Sequence, residues 1–393
     1  MNPRRLAYVC TDPGIGLFGT KGASVHMQEV IRVLRARGAQ VEVFCAKRGG
    51  DPPADLRDLV VHLLPQASKA VDPAARERAL IDADDATEAL LEEHGPFDLV
   101  YQRYSLWNAG TTALADRRGW PSILEVNAPL IEEHERHRGL VHRDHAAHVI
   151  AGAAGRATAV VCVSDPVATW VRRHAPAANT VVVPNGVNTE RIRPGTPDTH
   201  RADIPFTIGF VGTFKPWHGV DVLLESFARL RATRDNVRLL LVGDGPQGPE
   251  LRARVAALGM TDDVVFTGPA DPDDVPTWLQ AMHTAVAPYP ATADTYFSPL
   301  KLYEYLAAGL PVVASAVGQI PTALTSEKTG LLVPPGDIDA LTAALHRLAD
   351  EPNLCRRLAR AGRTTAVERH SWDRVMRRSL QAAGLDAEME AVA

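Results

Sequence analysis

The run Ser298-Pro-Leu-Lys-Leu-Tyr-Glu-Tyr-Leu-Ala-Ala-Gly-Leu-Pro-Val-Val places a cation and a carboxylate one helical turn apart, just inside a helix start. Ser298 suits the cap, Pro299 the first helical position, and Gly309 with Pro311 stop the helix. The free N–H groups of such a start, from Leu300 onward, carry the positive end of the helix dipole and attract phosphate. Lys301 adds a full charge, and Glu304, three residues on, shares its face and can accept from sugar hydroxyls. Dipole, cation and carboxylate together suit a nucleoside diphosphate.

Two glycine-rich loops could complete such a site. Gly209-Phe-Val-Gly-Thr-Phe-Lys-Pro-Trp-His-Gly follows an apolar run, and its Gly212 and Gly219 bracket Lys215 and His218. Lys215 can meet a phosphate as a point charge, and His218 can donate to the same oxygens. The other loop, Asp12 to Ser24, precedes a helix and carries Gly19, Lys21 and Gly22. It matches neither the dinucleotide fingerprint nor a Walker A motif. His134, His137, His142, His145 and His148 recur near Glu132, Glu133 and Glu135, but without the four-residue step of helical zinc motifs. A solvated polar helix is expected, with Glu132 and its neighbours free to recognise a hydroxylated or cationic second substrate. No Gly-x-Ser-x-Gly elbow and no Cys-x-x-Cys pair occurs.

Short apolar runs alternate with helical patterns along nearly all 393 residues. Leu6–Cys10, Val41–Cys45, Leu99–Tyr101, Ile123–Val126, Ala159–Val163 and Thr180–Val183 form one series of expected strands, and a second begins at Thr207. This pattern predicts an α/β protein of two doubly wound, Rossmann-like domains. The expected division is an acceptor-side domain over 1–187, a Pro/Gly-rich linker over 188–205, a second domain over 206–370 and a terminal helical segment over 371–393. Trp372 in that segment needs a packing surface. Ligands of such sheets sit at the carboxyl ends of the strands, so a cleft between two of them is the expected site.

The formal charge of −5 and pI of about 6.3 do not suggest a nucleic-acid or anionic-membrane partner. No apolar run reaches the roughly 20 residues of a membrane helix. The start runs straight into an apolar strand without a signal-peptide pattern, and Cys10, Cys45, Cys162 and Cys355 are widely spaced. Reduced thiols and a cytoplasmic setting are expected. Six of the 42 basic residues are lysines, which makes each lysine worth attention.

The chain resembles the retaining nucleotide-sugar transferases of glycosyltransferase family 4, which have the GT-B fold. The resemblance rests on the glycine-rich loop before the first helix, Val183-Pro-Asn-Gly-Val-Asn, Leu241-Val-Gly-Asp-Gly-Pro, Val265-Phe-Thr-Gly, Glu304-Tyr-Leu-Ala-Ala-Gly-Leu-Pro-Val-Val and Gly330-Leu-Leu-Val-Pro-Pro-Gly-Asp, in that order. It implies that the second domain holds a nucleotide sugar and the first an acceptor, with the terminal helix crossing back onto the first domain. Glu304 matches the glutamate that binds ribose hydroxyls. The segment after Gly268, including Ala270, matches the one that touches the base, and Ser298–Leu300 the diphosphate turn. Gly212, Thr213 and Gly243 belong to the same donor-binding set. No metal or cofactor is implied, because cations and a helix dipole stabilise the departing diphosphate.

Three positions depart from the family pattern. Tyr296 stands eight residues before Glu304, where the family has a second glutamate, and Asp294 is the nearest carboxylate. The usual arginine and lysine of the loop fall on Thr213 and His218, so Lys215 and Lys301 are expected to supply the missing charge. Asn127 stands where a histidine is usual on the acceptor side. A nucleotide-sugar 2-epimerase and a non-catalytic nucleotide-sugar-binding partner of another transferase are the alternative readings.

Overall fold

The computed structural model describes residues 4–65, 72–195, 204–291 and 296–385. The chain forms two compact units, Met1–Asn185 with Trp372–Ala393, and Gly186–Ser371. The first contains a seven-stranded parallel sheet: β1 (Arg5–Cys10), β2 (Gln40–Cys45), β3 (Val60–Leu63), β4 (Leu99–Arg103), β5 (Ser122–Val126), β6 (Ala159–Cys162) and β7 (Thr180–Val182). Its order is β3-β2-β1-β4-β5-β6-β7. The second unit's sheet comprises β8 (Phe206–Val211), β9 (Val237–Val242), β10 (Val264–Phe266), β11 (Thr284–Ala287), β12 (Val312–Ser315) and β13 (Leu331–Val333), ordered β10-β9-β8-β11-β12-β13. All pairings are parallel, which explains why the central strands read as unbroken apolar runs: helices cover both faces. Strand order reverses beside β1 and beside β8, so the loops that follow them lie at the switch points where such sheets take ligands.

β3 is not signalled by the sequence. It is an edge strand whose Val60 and Leu63 remain 45% and 54% exposed, so its composition lacks the buried signature of its neighbours. The linker expected over 188–205 is also different in the structure. The units divide at Asn185 and Gly186, and Ile192 lies in the second unit's core beside Leu306 and Leu310. Arg363 ties this stretch down by donating to the carbonyls of Thr189 and Ile192. Residues 196–203 lie outside the described residues.

The terminal helix Trp372–Ala382 packs on the first unit. Trp372 meets the buried His26 ring edge-on at 4.9 Å, and Asp373 accepts from the buried Arg37 at 2.8 Å. His26 in turn contacts Glu125 on β5 at 2.8 Å, and Glu125 also accepts from Tyr101 and Asn127. Burial alone would raise Glu125, but His26, Arg103 and Asn127 outweigh it and hold the carboxyl at about 2. The indole therefore closes over a charged core network. Trp372→Ala should cost about 3–4 kcal/mol in urea unfolding of the first unit; a loss below about 1 kcal/mol would show that the helix is not part of that core.

Candidate functional site

In the second unit, three glycines bring the loops after β8, β9 and β10 into backbone contact. Gly212 donates to the Val242 carbonyl at 2.9 Å, and Gly243 to that of Gly268 at 3.0 Å. A methyl on Gly243 would stand 2.2 Å from the Gly212 oxygen. Gly212 itself has φ +142°, a backbone that side chains disfavour, and a methyl there would stand 2.9 Å from Lys301 Nζ. The missing side chain is thus what gives the lysine its place.

Lys301 is the second residue of the helix Leu300–Ala307. Its amine is sequestered 4.0 Å from the centre of the Phe210 ring and 5.5 Å from that of Tyr289, with no hydrogen-bond partner among the described residues. Burial lowers it from the usual 10.5 to about 7, against the opposing pull of Glu304 on the same face. Lys301 is therefore not the permanent cation that its position in the sequence suggests. It is an amine poised to take a proton when an anion arrives.

His218 shares those two rings, its imidazole centred 6.2 Å from Phe210 and 5.9 Å from Tyr289. Its Nδ1 bonds the Thr213 carbonyl, which can only accept, so Nδ1 carries the proton. Burial first, then Lys301 and Lys215, lower its pKa to about 3. A neutral ring with a protonated Nδ1 leaves Nε2 a lone pair. His218 is thus an acceptor at that atom, and the expectation that it donates to phosphate is corrected on this ground. Lys215 Nζ lies 4.7 Å over the Trp217 ring, which is itself 6.3 Å from His218. Both amines are close enough to act on the charge of one histidine. Trp217, 45% exposed beside the site, carries no sequence signal that would have singled it out.

Other expected donor-side residues fall nearby with altered parts. Ser298 does not cap the helix: its hydroxyl pairs with the Tyr303 hydroxyl at 3.2 Å, and Pro299 occupies the cap position. The helix starts at Leu300, whose N–H and that of Lys301 head the dipole. Ala270 packs against the core, and Tyr296 is half-buried. Asp294 lies outside the described residues. Gly212→Ala should displace the Lys301 amine and cut turnover tenfold or more, with a lower melting temperature from the strained backbone; unaltered turnover would show that the amine's place is immaterial.

The first unit holds a cavity of about 470 Å³ at the carboxyl ends of its strands, lined among others by Asp12, Lys47, Arg76, Trp107, His134 and Arg138. None of the five expected acceptor-side residues is among the described residues lining it. Gly19 is held by Gln28 and closely approached by Ser24, Lys21 and Gly22 begin the helix Gly22–Ala36 in solvent, and Asn127 donates to Glu125 at 3.1 Å. One oxygen of Glu132 is buried with no partner among the described residues. Of the histidine run, His142 pairs with Glu77 at 2.9 Å and His145 stacks near Trp107. Among the described residues, one group has the ligand types and spacing for a metal, Glu42 with His62 and His94. Arg5 already takes the Glu42 carboxylate at 2.6 Å.

The family profile described as "Glycosyltransferase Family 4" matches residues 20–191, and that described as "Glycosyl transferases group 1" matches residues 205–351. The chain is 30% identical to a D-inositol 3-phosphate glycosyltransferase 2 of Catenulispora acidiphila, over 88% of this chain and 89% of that one. Among solved structures, sucrose-phosphate synthase of Thermosynechococcus elongatus superposes with a TM-score of 0.73 at 24% identity, covering 99% of this chain and 100% of that one. Anabaena HepE in complex with UDP gives 0.71 at 17% identity, over 97% and 99%. The fold of the two sheets is therefore GT-B.

Proposed function

Because the chain belongs to glycosyltransferase family 4, we propose that it moves a sugar from a nucleotide diphosphate, a UDP-sugar in preference to a GDP-sugar, to a hydroxyl of a small-molecule or glycan acceptor, with retention of configuration and without a metal. The observation that carries this reading is the sequestered Lys301 amine, unpartnered in the first turn of its helix, with Lys215 near enough for both to act on His218. A buried amine without an acceptor is costly in the free protein. A diphosphate supplies the missing acceptor and restores the proton. The bond from the anomeric carbon to the diphosphate oxygen breaks, the acceptor oxygen bonds to that carbon, and the acceptor's proton leaves on the departing phosphate. Negative charge grows where Lys301, Lys215 and the helix N–H groups can meet it.

The second unit holds the donor in this reading, and Glu304, which shares the face of Lys301, holds its ribose. Glu304→Gln should weaken UDP binding roughly tenfold or more in a calorimetric titration, because a hydrogen bond to a charged acceptor is replaced by a neutral one; unchanged affinity would remove Glu304 from the site. Natural-product acceptors of aminocyclitol type and cell-envelope glycans both suit the reading. No helix among the described residues is long and apolar enough to cross a membrane. The comparisons favour neither the epimerase nor the non-catalytic alternative. Transfer assays with Lys215→Ala and Lys301→Ala test the mechanism: each should lose ~100-fold or more in turnover, and near-normal rates in both would remove it.

A further inference from the structure

The edge of the first unit's sheet holds a carboxylate and two imidazoles that the proposed transfer does not use. Glu42 stands on β2 and His62 on β3, and His94 is the last residue of the helix Pro73–His94. Their ligand atoms all lie within 4.8 Å of one another. In the parallel register Glu42 is opposite Val60 and Phe44 is opposite His62, so Glu42 and His62 share one face of the sheet. His62 Nε2 lies 3.0 Å from Glu42 Oε2. Two ligands of a tetrahedral zinc ion, each about 2.0–2.1 Å from it, stand ~3.3 Å apart. An ion therefore fits between these two atoms in place of the Nε2 proton, which leaves to water.

The ligands are braced by groups around them. Arg5 Nη2 donates to the other carboxylate oxygen, Glu42 Oε1, at 2.6 Å and to the His94 carbonyl at 2.9 Å. One guanidinium thus holds the Glu42 side chain and the His94 backbone, and leaves Oε2 to the histidine. A hydrogen bond on the second oxygen is what orients a carboxylate ligand. The His62 ring stacks on the buried Phe44 at 4.6 Å and meets the His94 ring at 4.0 Å. The Arg5 charge weakens the pull of Glu42 on a cation, so the imidazole nitrogens must supply much of the affinity. That favours zinc over magnesium or calcium, which take oxygen ligands.

We infer that Glu42, His62 and His94 form a zinc site, with Glu42 Oε2 and one nitrogen of each histidine as ligands and a water in the fourth position. Drawing the ligand atoms onto one ion takes a rotation of the His94 side chain, which is half-buried at its helix end. The ion ties β3, an edge strand paired only with β2, to β2 and to that helix. Its role is structural. None of the three residues belongs to the proposed donor site, and the site stands or falls independently of the transferase reading.

The test is a calorimetric titration of the full chain, first stripped with a chelator, using zinc chloride. One zinc per chain should bind, and magnesium in about a hundredfold excess should not displace it. Saturating zinc should raise the melting temperature by about 5 °C. His62→Gln/His94→Gln should weaken zinc binding ~100-fold or more, and Glu42→Gln roughly tenfold or more. Glu42→Gln keeps the side-chain volume and an oxygen for Arg5, so it decides the matter where the double variant does not fold. No zinc binding to the unaltered chain overturns the inference. So does an affinity that survives these substitutions, which would place the ion elsewhere, such as on the run from His134 to His148.

Discussion

Lys301→Met should inactivate the protein and stabilise it at the same time. In the free protein the amine has lost its water and gained no acceptor, and burial has dropped its pKa from 10.5 to about 7. The folded state then binds fewer protons than the unfolded chain between about pH 7 and 10.5. The resulting cost is full below pH 7 and fades as the pH rises toward 10.5. A thioether of similar length fits between Phe210 and Tyr289 without that cost. At pH 7 the gain should be about 2–4 kcal/mol, read as a higher urea midpoint at unchanged slope. Turnover should fall ~100-fold or more, since a preorganised charge beside the leaving group is gone. A destabilised variant would show that the amine has a structural partner, and an active one that it does not meet the diphosphate.

UDP affinity should fall steeply with alkalinity. A diphosphate beside the amine raises its pKa, so the protein takes up a proton as the ligand binds. Above the free value of about 7, the cost approaches about tenfold in affinity per pH unit, or ~50-fold between pH 7 and 9. His218 adds nothing to this dependence, because its pKa of about 3 leaves it neutral throughout. Titrations at pH 7, 8 and 9 should show the fall in the unaltered chain and a flat profile in Lys301→Met. A flat profile in both would mean that Lys301 is charged before the ligand arrives, or is never charged.

Much of the architecture is legible in the sequence because parallel strands buried on both faces have no polar alternation to confuse them. Leu6–Cys10 and Val237–Val242 are read correctly for that reason. β3 escapes because an edge strand buries little, and the unit boundary shifts because Ile192 packs into the core amid residues that look like a linker. In the candidate site, residue types are legible and protonation is not. Lys301 and His218 stand out as a lysine in a lysine-poor chain and a histidine between glycines. Their neutral states depend on burial against Phe210, on β8, and Tyr289, just after β11, which are far apart in sequence. Ser298 has the composition of a cap, but Tyr303 takes its hydroxyl. On the acceptor side, Asp84 and Glu77 look like ordinary helix acids. Only the fold shows that each accepts from backbone N–H groups at the start of another helix.

The central claim is that a buried neutral amine becomes an ammonium by accepting a pyrophosphate. Calorimetry of UDP binding at pH 8, in two buffers of different ionisation enthalpy, counts the protons directly. Uptake close to one proton per UDP, absent in Lys301→Met, is the predicted result. Binding with no proton uptake in the unaltered chain would contradict it.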